Sequence, residues 1–230
     1  KRRDPAHLPR VLVFPIGNEF LMVIEDLERV PLFPLPNVVL LPAGVIPLHV
    51  FEARYCNLVE EILESNQILA IPQLAPGWEP HYHGEPPIYP VFGLGRGLKH
   101  EKVDGDRFNI LVEGLARVRL LEEELTLGGF RTAVVSLLED ELGPESDMDQ
   151  AVRKIKLTLG QLVTLHPNLR QLSTLLEIKI DAITLSDTLA HALMSEPQDR
   201  QAYIECDNAL ARILLTHGVL ERLLVEIMSE

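Results

Sequence analysis

Cysteine is scarce in this sequence: two in 230 residues, Cys56 and Cys206, far apart and in unrelated contexts. No disulfide framework can be built from that, and a reducing compartment, the cytoplasm, is the expected setting. Positive charge is short as well. Lys and Arg number 21 against 34 Asp and Glu, a formal charge of −13. That balance speaks against nucleic acid, or an anionic membrane surface, as the main partner. No apolar run approaches the roughly 18 uninterrupted residues of a membrane span. The opening "KRRDPAHLPRVLVFPIGNEFL" begins basic, but its apolar stretch at 11–16 is short and holds Pro15, a poor secretory core. With no methionine at position 1, residues 1–25 read as a terminal extension.

Catalytic signatures are missing too. There is no G-x-S-x-G elbow and no H-E-x-x-H pair. "GLGRGLKH" at 93–100 has a lysine after its glycines, but a phosphate loop needs four residues before Gly-Lys and then Ser or Thr. A flexible strand explains it better. Cys56 has His49 near in sequence, yet it falls in mid-helix, where a small core-edge residue is the simpler account. The expectation is a protein that is not an enzyme and needs no cofactor.

What is present is an ordinary globular balance, 47% hydrophobic and 24% charged, and a chain long enough for a sizeable core. The segment "VPLFPLPNVVLLPAGVIPLHV" at 30–50 is almost wholly apolar yet holds five prolines. Proline cannot donate to a sheet ladder and is excluded from helix interiors, so these must fall at edges and turns. Strands are expected at 38–41 and 45–48 around Pro42-Ala43-Gly44, then at 68–74, 91–98, 108–112, 116–121 and 130–138. One helix, 51–64, interrupts them, with Tyr55, Leu58, Val59, Ile62 and Leu63 on one face. Short strands at this spacing suggest a small closed or half-closed barrel with one inserted helix.

At 139–149, "EDELGPESDMD" carries six acids and no base and reads as a solvated linker. The pattern beyond it is helical. A first helix places Val152, Ile155, Leu159, Leu162 and Val163 on one face and stops at Pro167. A second spans 169–180, opening on Asn168. Ser186 or Asp187 caps a short third through Met194, and a last one runs over 199–228 with a kink at Gly218. The fold class is α+β: a barrel part at 26–142 and a helical bundle at 143–230.

Two groups of residues are candidates for a site. Trp78, Tyr82, Tyr89 and Phe92 lie in or next to the loop 75–90, which holds five prolines and two glycines. Aromatic residues in a loop either fold back over the core or form a patch for an apolar segment of a partner. His81 and His83, two apart in the same loop, could share a metal ion, but a site would need further ligands from Glu79, Glu85 or His100, and no spacing supports one. Loop histidines beside prolines are far more often plain polar residues. A small-molecule or metal site in 75–100 stays the alternative to protein binding.

The residues also resemble a known family. Pro31-Leu32-Phe33-Pro34-Leu35, the apolar run to Pro42, and Pro47-Leu48-His49-Val50-Phe51-Glu52 before a helix resemble the opening of the amino-terminal substrate-binding domain of the Lon protease, which cereblon also carries. "FNILVEGLARVRLLEEE" is similar to that family's Val-x-Gly-x-x-Arg strand, with Val112, Gly114 and Arg117 in the matching places. Leu189, Gln201, Glu205 and Arg212 match its helical part. The resemblance implies a PUA-like barrel followed by a helical bundle, and a module that recognises client polypeptides or a partner protein. Full Lon proteases continue into an ATPase module with a phosphate loop and a peptidase module with a serine–lysine dyad. The 230 residues hold neither, so the resemblance implies a stand-alone domain. It fixes no individual binding residue and no oligomeric state.

Overall fold

A computed structural model describes residues 12–16, 20–24 and 27–229, with side chains from residue 27 onward. Among the described residues there are eight strands and six α-helices, an α+β fold. Strands β1 (Leu12–Ile16) and β2 (Phe20–Ile24) pair antiparallel as a separate hairpin. The rest of the extension expected over 1–25 lies outside the described residues.

The main sheet contains β3 (Val30–Leu32), β4 (Val45–Val50), β5 (Ile68–Ile71), β6 (Val91–Val103), β7 (Arg107–Leu125) and β8 (Arg131–Leu137). Their order is β4-β7-β6-β5-β3-β8, with β7 pairing β8 as well. Two runs expected as separate strands are one, because Gly114 sits inside the continuous β7 instead of breaking it. The first half of β7 takes β4, from Val45↔Glu113 to Val50↔Phe108, and its second half takes β8, from Val118↔Leu137 to Leu125↔Arg131. One long strand thus rolls the sheet. Of the closed or half-closed barrel expected, the fully closed form is not what the sheet makes: β4 remains an edge, and β3 meets β5 at one parallel pair, Leu32↔Ala70. Helix α1 (Ala53–Glu64) covers the roll as its periodicity predicts, burying Tyr55, Leu58, Val59 and Ile62.

The proline-rich segment supplies β3 and β4, but the strand expected at 38–41 is absent. Val39, Leu40 and Leu41 are buried without joining a ladder. They cross the sheet backbone-to-backbone: a Cβ on Gly93 would stand 2.1 Å from the Leu40 carbonyl oxygen, and one on Gly114 2.1 Å from that of Leu41. Only glycine permits that approach. Leu40 then fills the core under α1, while Val39 and Leu41 point into a second cluster with Val91, Ala190, Met194, Tyr203, Ile204 and Val219. The segment is the shared wall between the sheet and the helices.

Pro47 sits where no ladder bond is lost. Gly44 O accepts from Gly114 N, and Val45 O faces His191 Nε2 on the other side at 3.3 Å. By strand alternation Pro47 shares the outward side with Val45, so its missing N–H blunts an exposed edge.

The helical part holds α2 (Glu145–Leu165), α3 (Thr174–Glu177), α4 (Ala182–Leu193), α5 (Pro197–Glu205) and α6 (Ala209–Ser229). Three expectations need correction. The helix expected at 169–180 is a 3-10 stretch, Pro167–Ser173, followed by the single turn α3, so Asn168 caps nothing. α4 starts before Ser186: Asp181 is its cap, accepting from Ile183 N at 3.1 Å and Thr184 N at 2.9 Å, whereas Ser186 and Asp187 are buried inside the helix. The long last helix is broken between Glu205 and Ala209, and Asn208 Oδ1 caps α6 through Ala211 N at 2.9 Å. Among the described residues no helix is long and apolar enough to cross a membrane.

Candidate functional site

The loop 75–90 is a closed structure of its own. Ala75 N donates to Pro87 O and Tyr89 N to Gln73 O at its base. Above these, successive turns from Trp78 to Gly84 (His81 N to Trp78 O, Tyr82 N to Glu79 O, Gly84 N to His81 O) bring Tyr82 down against the start of α1. The Tyr82 hydroxyl donates to Glu52 Oε1 at 2.5 Å, and this bond to a carboxylate, with partial burial, raises its pKa. Arg54 places Nε and Nη2 on Glu52 Oε2 at 3.1 and 2.9 Å, and Nη2 also reaches Tyr82 O at 3.0 Å. The same guanidinium lies 4.6 Å from the Tyr55 ring centroid and 5.3 Å from that of Tyr82.

Between this cluster and the strand-to-helix corner opens a groove of about 510 Å³, lined by Phe51, Glu52, Ala53, Arg54, Tyr82 and His83. Trp78 packs edge-on against Tyr82 at 5.5 Å between centroids, and His83 does so on the other flank at 5.3 Å. Phe51 is 64% exposed. Next to Arg54 on α1 the β7–β8 turn is held by Asn57 Nδ2 donating to Gly128 O at 2.9 Å, leaving Leu127 fully exposed.

The sequence candidates therefore separate. Trp78 and Tyr82 share this surface. Tyr89 is half-buried at the base of the loop, away from the groove lining. Phe92, 1% exposed, is a core residue packed with Leu32, Ile68, Leu94 and Val118, and it forms no part of a binding surface. His81 and His83 are exposed, and among the described residues no group of three His, Cys, Asp or Glu converges on a metal position. Phe51, read as the start of a helix, is the groove residue the sequence did not reveal.

Behind the groove, sheet and helices are joined by buried charge. Arg117 on β7, 3% exposed, donates from Nη1 to Ile204 O (2.9 Å), Cys206 O (3.0 Å) and Asp207 Oδ1 (3.2 Å), and from Nη2 to Asp140 Oδ1 (2.8 Å). Arg212 on α6 meets the same Asp140 oxygen. Tyr203 OH donates to Asp187 Oδ1 at 2.7 Å and bonds Ser186 Oγ at 2.8 Å, and Ser186 continues to Thr216 at 2.9 Å. Burial pushes the Asp187 carboxyl up to about 6, against the opposing pull of Arg212. Gln201 ties α5 to the sheet through Val91 O at 3.0 Å and to Glu205 at 2.7 Å. Asp140, expected in a solvated linker, belongs to this joint. Arg117, Gln201 and Arg212, which carried the family resemblance, are its anchors.

Comparison with known proteins agrees. The family described as the ATP-dependent protease La (LON) substrate-binding domain matches residues 29–222. Curated relatives include the Lon protease of Desulfosudis oleivorans, 24% identical over 77% of this chain and 22% of the relative, and Lon protease 2 of Myxococcus xanthus, 27% identical over 86% and 24%. The chain thus spans about a quarter of the length of these relatives. Among solved structures, the N-terminal domain of Mycobacterium avium complex Lon protease superposes with a TM-score of 0.65 at 14% identity, over 84% of this chain and 98% of that one. A Lon N-terminal domain protein from Xanthomonas campestris gives 0.55 at 23% identity, over 86% and 97%.

Proposed function

The chain belongs to the family of the ATP-dependent protease La (LON) substrate-binding domain, and from that premise we propose that it is a non-catalytic, cytoplasmic module that binds exposed apolar segments of client polypeptides or of a partner protein. The observation that carries this reading is the groove at the start of α1, where Phe51, Tyr82 and the adjoining Trp78 expose aromatic surface on a rigid base. Large, stiff aromatic side chains are favoured anchors of such contacts. The two unpaired thiols suit a reducing compartment, and the net charge of −13 favours polypeptide over nucleic acid. We read the rolled sheet with its inserted α1 as a PUA-like barrel over 26–142 and the helices over 143–230 as the bundle behind it.

The test is binding to an array of unstructured peptides by the intact chain, then by Phe51→Ala, Trp78→Ala and Tyr82→Ala. Retention of apolar peptides by the native chain, and their loss in these variants with folding intact, supports the assignment. Unchanged binding in all three variants removes the groove from it.

A further inference from the structure

The groove is electrically one-sided. Arg54 is the basic residue in its lining, and its guanidinium is turned inward onto Glu52, the Tyr82 carbonyl and two tyrosine rings. Its charge is matched by Glu52 and offers little to a ligand. The acids around the groove are different. Glu79 and Glu85 are exposed on the loop that carries Trp78 and Tyr82, and neither pairs with a cation among the described residues. Leu127, exposed, sits on a turn held by Asn57 and packed beside Arg54, and the strand leading to it carries Glu122, Glu123 and Glu124. Of these, Glu123 is matched by Arg131 at 3.0 Å and Glu124 accepts only from the neutral Thr132. Exposed Phe51 and Leu127 and the half-buried rings of Trp78 and Tyr82 thus share this surface with unmatched carboxylates.

We propose that this surface selects apolar polypeptide segments flanked by lysine or arginine and disfavours those flanked by acids. An apolar or aromatic side chain enters the groove, and the flanking ammonium or guanidinium groups lie over Glu79 and Glu85. The surplus of 34 acids over 21 bases steers such segments toward the protein before contact. The inference rests on the groove being the binding surface, as proposed above.

The test is fluorescence anisotropy with three peptides sharing one Phe- and Leu-containing core, flanked by Lys, by Ser or by Glu. Each is titrated with the intact chain, with Glu79→Gln/Glu85→Gln and with Tyr82→Ala, at about 50 mM and about 500 mM salt. The expected result is Lys-flanked binding roughly tenfold tighter than Glu-flanked at the lower salt, the sum of a few exposed pairs. The gap closes at the higher salt and narrows in the Glu79→Gln/Glu85→Gln variant, while Tyr82→Ala weakens all three peptides. Equal binding of the Lys and Glu peptides overturns the charge selection and leaves the groove in place. If none binds, or Tyr82→Ala changes nothing, the groove itself falls and the inference with it.

Discussion

Arg117 on β7 and Arg212 on α6 meet on a single oxygen, Oδ1 of Asp140, at 2.8 and 2.7 Å. Both guanidinium groups are almost wholly buried, at 3% and 1% exposure, so neither can turn to water if that carboxylate is lost. Asp140 stands in the run between β8 and α2, and it brings the sheet and the last helix onto one charge.

Asp140→Ala is therefore expected to destabilise the protein by about 3 kcal/mol, the cost of removing one carboxylate from a buried ion-pair network, with Asp207 left on Arg117 and Asp187 near Arg212. Glu139→Ala, one residue earlier and exposed, should move stability by no more than about 0.5 kcal/mol. Urea unfolding of the two variants beside the native chain measures the contrast. Equal effects would show that the shared oxygen is not what holds the joint.

Asp187 gives a pH dependence of definite sign. Its folded pKa, about 6, lies above the ordinary value of 3.8 because burial disfavours the charged form, with Arg212 and Arg117 opposing and Asp140 assisting the shift. The folded state then binds the extra proton between these two values, so this residue's contribution to stability falls as pH rises through about 6. The loss is on the order of 2 kcal/mol. Asp187→Asn removes it: from pH 4 to pH 7 the native chain should lose stability relative to the variant, most steeply between the ordinary value of 3.8 and about 6, and level off above that. Parallel stability profiles across that range would refute the burial argument.

The same joint shows where the sequence was legible. Periodicity located α1 and β4 because each presents one apolar face to one neighbour, and the Val112, Gly114 and Arg117 spacing identified the family. Asp140 and Asp187 were misassigned, as linker and as cap, since an acid's local context is the same whether its partner is water or an arginine distant in sequence. The helix break at Asp207 had no proline or glycine to announce it. The strand expected at 38–41 failed for a related reason: its β-branched, apolar residues suit any buried extended backbone, and only the glycines opposite it decide that it crosses the sheet instead of joining it. The groove was half-visible through Trp78 and Tyr82, while Phe51 was hidden by serving also as the corner into α1.

Gly114→Ala and Gly93→Ala test that crossing. Each added methyl would lie 2.1 Å from a backbone carbonyl oxygen that cannot rotate away, so the cost should exceed about 3 kcal/mol and the variants should be recovered poorly folded. Gly160→Ala is the control: its Cβ meets nothing within 4 Å, and it lies inside α2. Alanine there should stabilise by roughly 0.5 to 1 kcal/mol through helix propensity alone. Thermal unfolding midpoints that move in opposite directions are the expected result. Tolerance of alanine at 93 and 114 would mean that the segment 38–41 is free to move off the sheet.

Tyr82 and Phe92, both aromatic candidates from one stretch of sequence, should behave in opposite ways. Phe92 is 1% exposed in the sheet core, so Phe92→Ala should cost about 3 to 5 kcal/mol of stability. Any loss of peptide binding there should follow the unfolded fraction. Tyr82 sits at the groove with its hydroxyl on Glu52 at 2.5 Å, and Tyr82→Ala should weaken apolar peptides by roughly tenfold with little change in the unfolding midpoint. Tyr82→Phe divides the roles further: it keeps the ring that a ligand would touch and removes only the bond that positions it. If the ring is the anchor, Tyr82→Phe retains most of the binding. If the Glu52–Tyr82–Arg54 cluster must be rigid for the groove to exist, Tyr82→Phe loses nearly as much as Tyr82→Ala. Anisotropy titrations paired with thermal unfolding of the three variants distinguish these outcomes, and a Tyr82→Ala protein that binds as the native chain does would take the surface role from Tyr82 altogether.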